Sequence, residues 1–304
     1  MKRVIVTGAA GFFGIHATEA FLRHGCEVVA VARPGSLHNE RLYSLHSPLL
    51  SVVECDMAEI GRLPALLTEN GIPVDGYDTF CHLAWAGGRN DVPAQVRNID
   101  HSLQALRSAG ELHCRLFIGA GSQAEYGETG DKVITEETET KPFSAYGAAK
   151  VSACSLTRVL ASQLSVEWIW CRIFSLIGRF EPCGRMLPDL VKKLKDGEAV
   201  QLSSCEQYWD YLDADDAAEA LISLMEKGTS GEIYNIANGG YRPLKEYTEK
   251  AKEIFAPDTV LHYGAPPTPF VSLKPSVKKL RDDTGFVPRI SFEESLGTYE
   301  NRSE

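Results

Sequence analysis

Val4-Ile5-Val6-Thr7-Gly8-Ala9-Ala10-Gly11-Phe12-Phe13-Gly14 is the stretch that decides the fold. Its apolar, β-branched start reads as a buried strand, and Gly8, Gly11 and Gly14 then punctuate a tight turn. A helical pattern follows over residues 12–24, with Phe13, Ala17, Ala20, Phe21 and His24 on one side and Gly25 as the stop. A turn that leads from a buried strand into a helix aims backbone N–H groups and the positive end of the helix dipole at one spot. Glycines there let a pyrophosphate approach the backbone, so Gly8, Ala10, Gly11, Phe12, Phe13 and Gly14 form a candidate dinucleotide cradle.

Working outward, short apolar runs alternate with helical patterns. Strands are expected at 26–32, 52–55, 79–84, 115–120 and 166–174, with helices near 94–109 and 144–163. Repeated βα units with apolar strands predict an α/β fold: a Rossmann-type, doubly wound parallel sheet covered by helices on both faces. The pattern changes after Phe174. Residues 178–188 read as a loop, 187–195 as a short basic amphipathic helix, 208–212 as a strand, 214–226 as a helix and 232–237 as a strand. The expected division is a dinucleotide-binding domain over 1–174, to which 205–238 partly returns, and a smaller, mainly substrate-binding cap over 175–304.

With 304 residues, 44% of them hydrophobic, the chain can bury a large core. Its net charge of −10 argues against a nucleic-acid partner. No apolar run approaches a membrane span, and no secretory leader is read at Met1-Lys2-Arg3, so a cytoplasmic location is expected. Cys26, Cys55, Cys81, Cys114, Cys154, Cys171, Cys183 and Cys205 are widely spaced and form no CxxC pair, so they read as reduced residues. Asp213, Asp215 and Asp216 read as helix N-terminal acids, and no metal is expected.

The second chemical signal lies downstream. Tyr146 and Lys150 are four apart in a helical segment and share a face, and Ser122 follows a strand 146 − 122 = 24 residues earlier. A phenol beside an ammonium suits proton transfer, with the cation expected to favour the phenolate, and a hydroxyl can share the reacting oxygen. Ala32-Arg33 ends the second strand, where an NAD site carries an acid on the ribose hydroxyls; Arg33 instead suits a 2′-phosphate, so NADP is expected rather than NAD. Asp56, before Met57, suits either an adenine amino group or a helix cap.

The chain resembles the extended short-chain dehydrogenase/reductase family, also called the NAD-dependent epimerase/dehydratase family of nucleotide-sugar enzymes. The residues that carry the likeness are Thr7 to Gly14, His82-Leu83-Ala84, Gly119 to Gly127, Pro142 to Lys150, Trp209 to Ala217 and Tyr234 to Ala237. The resemblance implies Ser122, Tyr146 and Lys150 as the catalytic set, with Asn98 helping to organise it. It places Leu83, Ala84, Trp85 and Met57 at the cofactor, and Ala86, Gln123, Arg172, Phe174 and Ser175 near the reacting sugar or nicotinamide. Arg179, Arg185, Met186 and Leu187 are implied at the nucleotide diphosphate, and Trp209 stands where many relatives have a diphosphate-binding arginine.

The family's 4,6-dehydratases place an Asp-Glu pair after the catalytic hydroxyl; Gln123 and Ala124 stand there, which argues against dehydration. The expected function is therefore NADPH-dependent reduction of a nucleotide-activated 4-keto-6-deoxy sugar, supported by a likeness of residues 207–211 to such reductases. The alternative is a nucleotide-sugar 4-epimerase with NAD, and a third reading is a non-catalytic NADP-binding sensor. A homodimer through the helices near 94–109 and 144–163 is implied by the family, with Ala148, Ala149 and Ala153 small enough for close packing.

Overall fold

In the computed structural model, which describes residues 1–299, the first half alternates strand and helix. In chain order it runs β1 (Arg3–Thr7), α1 (Phe12–Arg23), β2 (Glu27–Ala32), α2 (Glu40–Tyr43), β3 (Leu50–Glu54), α3 (Leu63–Glu69), β4 (Thr79–His82), α4 (Val92–Glu111), β5 (Leu116–Ser122), α5 (Ala145–Leu164) and β6 (Glu167–Ile173). Shorter pieces follow: β7 (Ser175–Ile177), α6 (Met186–Lys195), β8 (Val200–Leu202), β9 (Tyr208–Trp209), β10 (Tyr211–Asp213), α7 (Ala214–Lys227) and β11 (Ile233–Ile236). The last are β12 (Arg242–Pro243), α8 (Leu244–Phe255), β13 (Leu261–Tyr263), α9 (Lys278–Thr284) and α10 (Phe292–Gly297).

Seven strands form one parallel sheet in the order β11-β6-β5-β4-β1-β2-β3. The order reverses beside β1, and in such sheets ligands bind beyond the carboxyl ends of the strands at that point. Alternation along β1 sorts its side chains: Val4 and Val6 enter a core with Ala17, Phe21, Leu221 and Leu224, while Ile5 joins Leu67, Leu106, Ala109 and Leu160 on the other face. Helices thus cover both faces, as the apolar strands require. A third core of Leu187, Leu190, Leu194, Tyr247, Ala251 and Leu296 joins α6, α8 and α10 beside the sheet.

Residues 208–212 are not the single strand expected. Asp210, wholly buried, accepts the backbone N–H groups of Asn238 at 2.7 Å and Gly239 at 2.8 Å, which breaks the run. Trp209 then pairs with Arg242, and Tyr211 with Ser175. Burial lifts the Asp210 carboxyl to about 6 despite those two bonds.

The turn after β1 is packed to its limit. Gly8 has φ +69°, and a Cβ on it would lie 2.8 Å from the Ala84 backbone. A Cβ on Gly14 would lie 2.0 Å from the Gly8 carbonyl oxygen. Backbone cannot yield as a flexible side chain does, so Gly14→Ala is expected to destabilise the protein by about 1–3 kcal/mol. A lower urea midpoint at unchanged m-value checks this.

Candidate functional site

The carboxyl ends of β1, β2, β4, β5 and β6 open into one cleft of about 930 Å³. The cradle residues Gly8, Ala10, Gly11, Phe12, Phe13 and Gly14 line it, as do Arg33, Met57, Leu83, Ala84, Trp85, Ala86, Asn98, Ser122, Gln123, Tyr146, Lys150, Ser175, Arg185, Met186 and Trp209. Gly11 caps α1 without a side-chain bond, and no acid sits in the first turn of α1, so the helix N-terminus faces the cleft open to an anion. That cradle, wedged against the Ala84 backbone, fits a dinucleotide pyrophosphate.

Three residues named from sequence lie elsewhere. Asp56 is exposed, is not among the lining residues of the cleft, and its side chain caps the following turn by accepting from Ala58 N–H at 2.9 Å. The Arg179 guanidinium turns out to Glu19 on α1, while its carbonyl oxygen faces His16 Nε2 at 2.8 Å. Arg172 is buried beneath the cleft against Glu125. Of the alanines proposed for helix packing, Ala149 and Ala153 face the core and Ala148 faces out.

Ser122, Tyr146 and Lys150, read from the sequence as a proton-transfer set, come together. Ser144 caps α5 through Gly147 N–H at 3.2 Å, and Tyr146 and Lys150 follow in its first two turns. Ser122, the last residue of β5, accepts from Ala124 N–H at 3.1 Å through its Oγ, which leaves its O–H free to donate. Lys150, 3% exposed, donates to the Ala120 carbonyl at 2.6 Å and lies 3.5 Å from the centre of the Trp85 ring. Burial pulls its ammonium down to about 7, against a smaller lift from Glu125. Burial also raises the Tyr146 phenol, which a hydrogen bond from Ser122 partly offsets. Burial therefore outweighs the lowering by Lys150 that the four-residue spacing suggests, and the phenol rests neutral.

Neutral hydrogen bonds fix the β4–α4 side of the cleft, next to α5. Asn98 donates to the Ala86 carbonyl at 2.7 Å and accepts its N–H at 3.2 Å, so it shapes the β4–α4 loop. Ser102 donates to Asn98 O at 2.8 Å, so its oxygen receives the Nε2–H of His82 at 3.2 Å, and His82 Nδ1 accepts from Thr7 Oγ1 at 2.8 Å. Burial drives His82 down to about 3, so it stays neutral. Gln95 accepts from Trp85 Nε1 at 2.8 Å and donates to Gly88 O at 2.9 Å.

Several lining residues escaped the sequence: Ser36, His38, Asn39, Arg89, Glu181 and Tyr211. Asn39 ends a Ser36-capped turn, donates to Arg33 O at 3.1 Å and Glu54 Oε1 at 2.9 Å, and leaves its buried Oδ1 without a partner. Desolvation, then Arg41 and Arg33, lowers the His38 pKa. Glu181 accepts from Tyr299 and lies 3.8 Å from Arg185 Nη1. Outside the cleft, His16, Glu19 and Asp215 bring ligand atoms within 4.8 Å of one another, but Arg179 occupies Glu19 and His16 occupies Asp215. Among the described residues no helix is long and apolar enough to cross a membrane.

Comparison with known proteins matches residues 4–237 to a family described as the NAD dependent epimerase/dehydratase family. A putative UDP-arabinose 4-epimerase 2 of Arabidopsis thaliana is 25% identical over 297 residues, covering 86% of this chain and 70% of the relative. The CDP-abequose synthase of Salmonella muenchen is 21% identical over 275 residues, covering 87% and 84%. The solved UDP-glucuronic acid 4-epimerase of Bacillus cereus, in complex with NAD, superposes with a TM-score of 0.84 at 21% identity, covering 98% and 97%.

Lys150 links the site to stability. Its folded pKa, about 7, lies below the unfolded value, so between about pH 7 and 10 the unfolded chain holds the extra proton and stability rises with pH. Lys150→Met removes this contribution. The variant is expected to melt above the native chain near pH 6, the gap closing towards pH 10 in a calorimetric series.

Proposed function

The chain belongs to the NAD-dependent epimerase/dehydratase family, and from that premise we propose that it is a nucleotide-sugar 4-epimerase, working through a nicotinamide dinucleotide in the cleft. The observation that carries the reading is the meeting of Ser122, Tyr146 and Lys150 beside Gln123, with no carboxylate available next to the hydroxyl among the described residues. Ala124 is apolar and buried, and Glu125 is engaged below the floor by Ser122, Trp170 and Arg172. Chemistry at sugar C4 is supported without elimination of a neighbouring hydroxyl.

The dinucleotide, when bound, brings reversible hydride exchange. Everything else falls to this chain. Gly8 to Gly14 and the N-terminus of α1 hold the pyrophosphate. Lys150, anchored to Ala120, is placed for the nicotinamide ribose. The resting Tyr146 phenol first releases its proton to solvent; the phenolate then takes the proton of the C4 hydroxyl as the ketone forms and gives it back to the same oxygen on re-reduction, while the Ser122 O–H donates to that oxygen. The neutral phenol stores that proton between the two halves. Epimerisation further requires the keto-sugar to turn over, for which the cleft between Trp85, Ser175, Arg185 and Trp209 is the available space.

One observation favours a second reading, an NADPH-dependent reductase of a 4-keto-6-deoxy nucleotide sugar. The adenosine end of the cleft presents Ala32, Arg33, Ser36 and His38, with Arg41 close enough to disfavour the charge on His38. This cationic corner suits a 2′-phosphate. A dissociable NADPH serves net reduction, whereas a retained NAD serves epimerisation.

Residues 1–174 with β11 are read as the dinucleotide-binding part, and the α6–α8–α10 core as the cap. A second copy is assigned to the outer face of α4 and α5, where Val92, Val96, Leu156 and Val159 are exposed. Sedimentation tests the dimer.

The deciding experiment releases dinucleotide from the purified protein by denaturation and follows UDP-, dTDP- and CDP-sugars by NMR. Bound NAD with C4 interconversion and no net dinucleotide oxidation supports the epimerase. Empty protein that consumes NADPH with a keto-sugar overturns it in favour of the reductase. Tyr146→Phe is expected to lower kcat by about 10²–10⁴-fold at unchanged dinucleotide affinity. Unchanged turnover would remove the phenol from the mechanism.

A further inference from the structure

Beneath the cleft lies a carboxylate that the proposed chemistry does not touch. Glu125 is 0% exposed and follows Ser122 by one short helical turn. Its Oε1 accepts the Ser122 backbone N–H and the Trp170 indole N–H, each at 2.9 Å, and its Oε2 accepts Arg172 Nε at 2.8 Å. Arg172 is also buried, donates to the Glu136 carbonyl at 3.3 Å and lies 4.6 Å from the centre of the Tyr126 ring. The Glu125 carboxylate is thus closed off from water, and Arg172 nearly so.

A buried ion pair is weak as a source of stability, because desolvation consumes most of what the attraction returns. This pair stands directly under the reacting groups, which gives it another use. The groups that feel Glu125 are Arg172 on β6, Tyr146, Lys150 and Cys154 on α5, and the neighbouring Tyr126, while Glu136 faces Arg172 from its other side. Its field opposes a phenolate on Tyr146 and favours an ammonium on Lys150. Ser122 is tied to it twice, through its own N–H and through the short turn in which the Ser122 side chain caps Ala124.

We propose that Glu125 is a positioning residue for the C4 chemistry: it fixes the Ser122 hydroxyl through the backbone and supplies the fixed negative charge beneath Tyr146 and Lys150. Removing that charge makes protons leave both groups more readily. The two limbs of the pH–rate profile then move together towards acid, a signature that loss of packing alone does not produce.

Three variants test this. Glu125→Gln keeps an acceptor for Ser122 N–H but leaves Arg172 beside a neutral amide. The double variant Glu125→Leu with Arg172→Leu removes both charges, so no unpaired ion remains to unfold the chain. Glu125→Asp keeps the charge and shortens the reach. The double variant is expected to fold with kcat lowered by about 10–100-fold and KM little changed, since a small displacement of a reacting group costs that much. The profile of Glu125→Gln shifts to lower pH by about one unit, and that of the double variant, which also loses the opposing Arg172 charge, shifts the same way by less. Glu125→Asp restores the profile position while kcat stays low. A folded double variant with native kcat and native pH profile overturns the proposal.

The inference rests on the catalytic reading above, and dinucleotide binding separates the two. A native protein that turns over no nucleotide sugar sinks that reading. The pH midpoint of NADH or NADPH binding, followed by fluorescence, then tests Glu125 through Lys150: the same acid shift upholds it, and an unmoved midpoint overturns it.

Discussion

The contact on which the rest depends is backbone against backbone, where the turn after β1 meets the end of β4. Gly8 rests on Ala84 so closely that no side chain fits between them. This brings the start of α1, with its unpaired N–H groups, against the loop that carries Trp85 and Ala86. Around that contact the parallel sheet delivers the remaining pieces: Ser122 from the end of β5 and Ser175 just beyond β6. α5 lays Tyr146 and Lys150 over the same edge. A sheet with a different strand order would scatter them.

Electrostatically the cleft is divided into two regimes. Lys150, Tyr146 and the Glu125–Arg172 pair are charged or chargeable groups held in low dielectric, where each influences the others strongly. The support beside them, from Thr7 through His82 and Ser102 to Asn98, is made of neutral hydrogen bonds. The titratable groups and the neutral bonds that hold the loop beside them are thereby kept as separate networks.

Much of this was legible in the sequence, because period and punctuation report directly on backbone. The glycine spacing at 8, 11 and 14, the apolar strands and the four-residue step from Tyr146 to Lys150 each follow from local geometry. What stayed hidden depends on contacts between distant segments. Arg179 looks like a phosphate ligand in a basic loop, yet Glu19, 160 residues away, captures it. Asp210 looks like one strand residue among several until Asn238 and Gly239 bring their N–H groups to it. The lowered proton affinity of Lys150 is a property of burial, which the four-residue spacing does not encode. The neighbours of Arg33, at Ser36, His38 and Asn39, sit in a short turn with no periodicity to announce it.

The neutral chain from Thr7 to Asn98 has a consequence for the setting in which the protein works. Mobile ions screen charges; they have little hold on buried dipoles. On the proposed function, ionic strength would alter how fast an anionic nucleotide is drawn to Arg33, Arg89 and Arg185, and how firmly it is kept. It leaves untouched the pocket shape that the arriving molecule meets, so a cell that concentrates or dilutes its solutes changes the traffic to this cleft without recutting it.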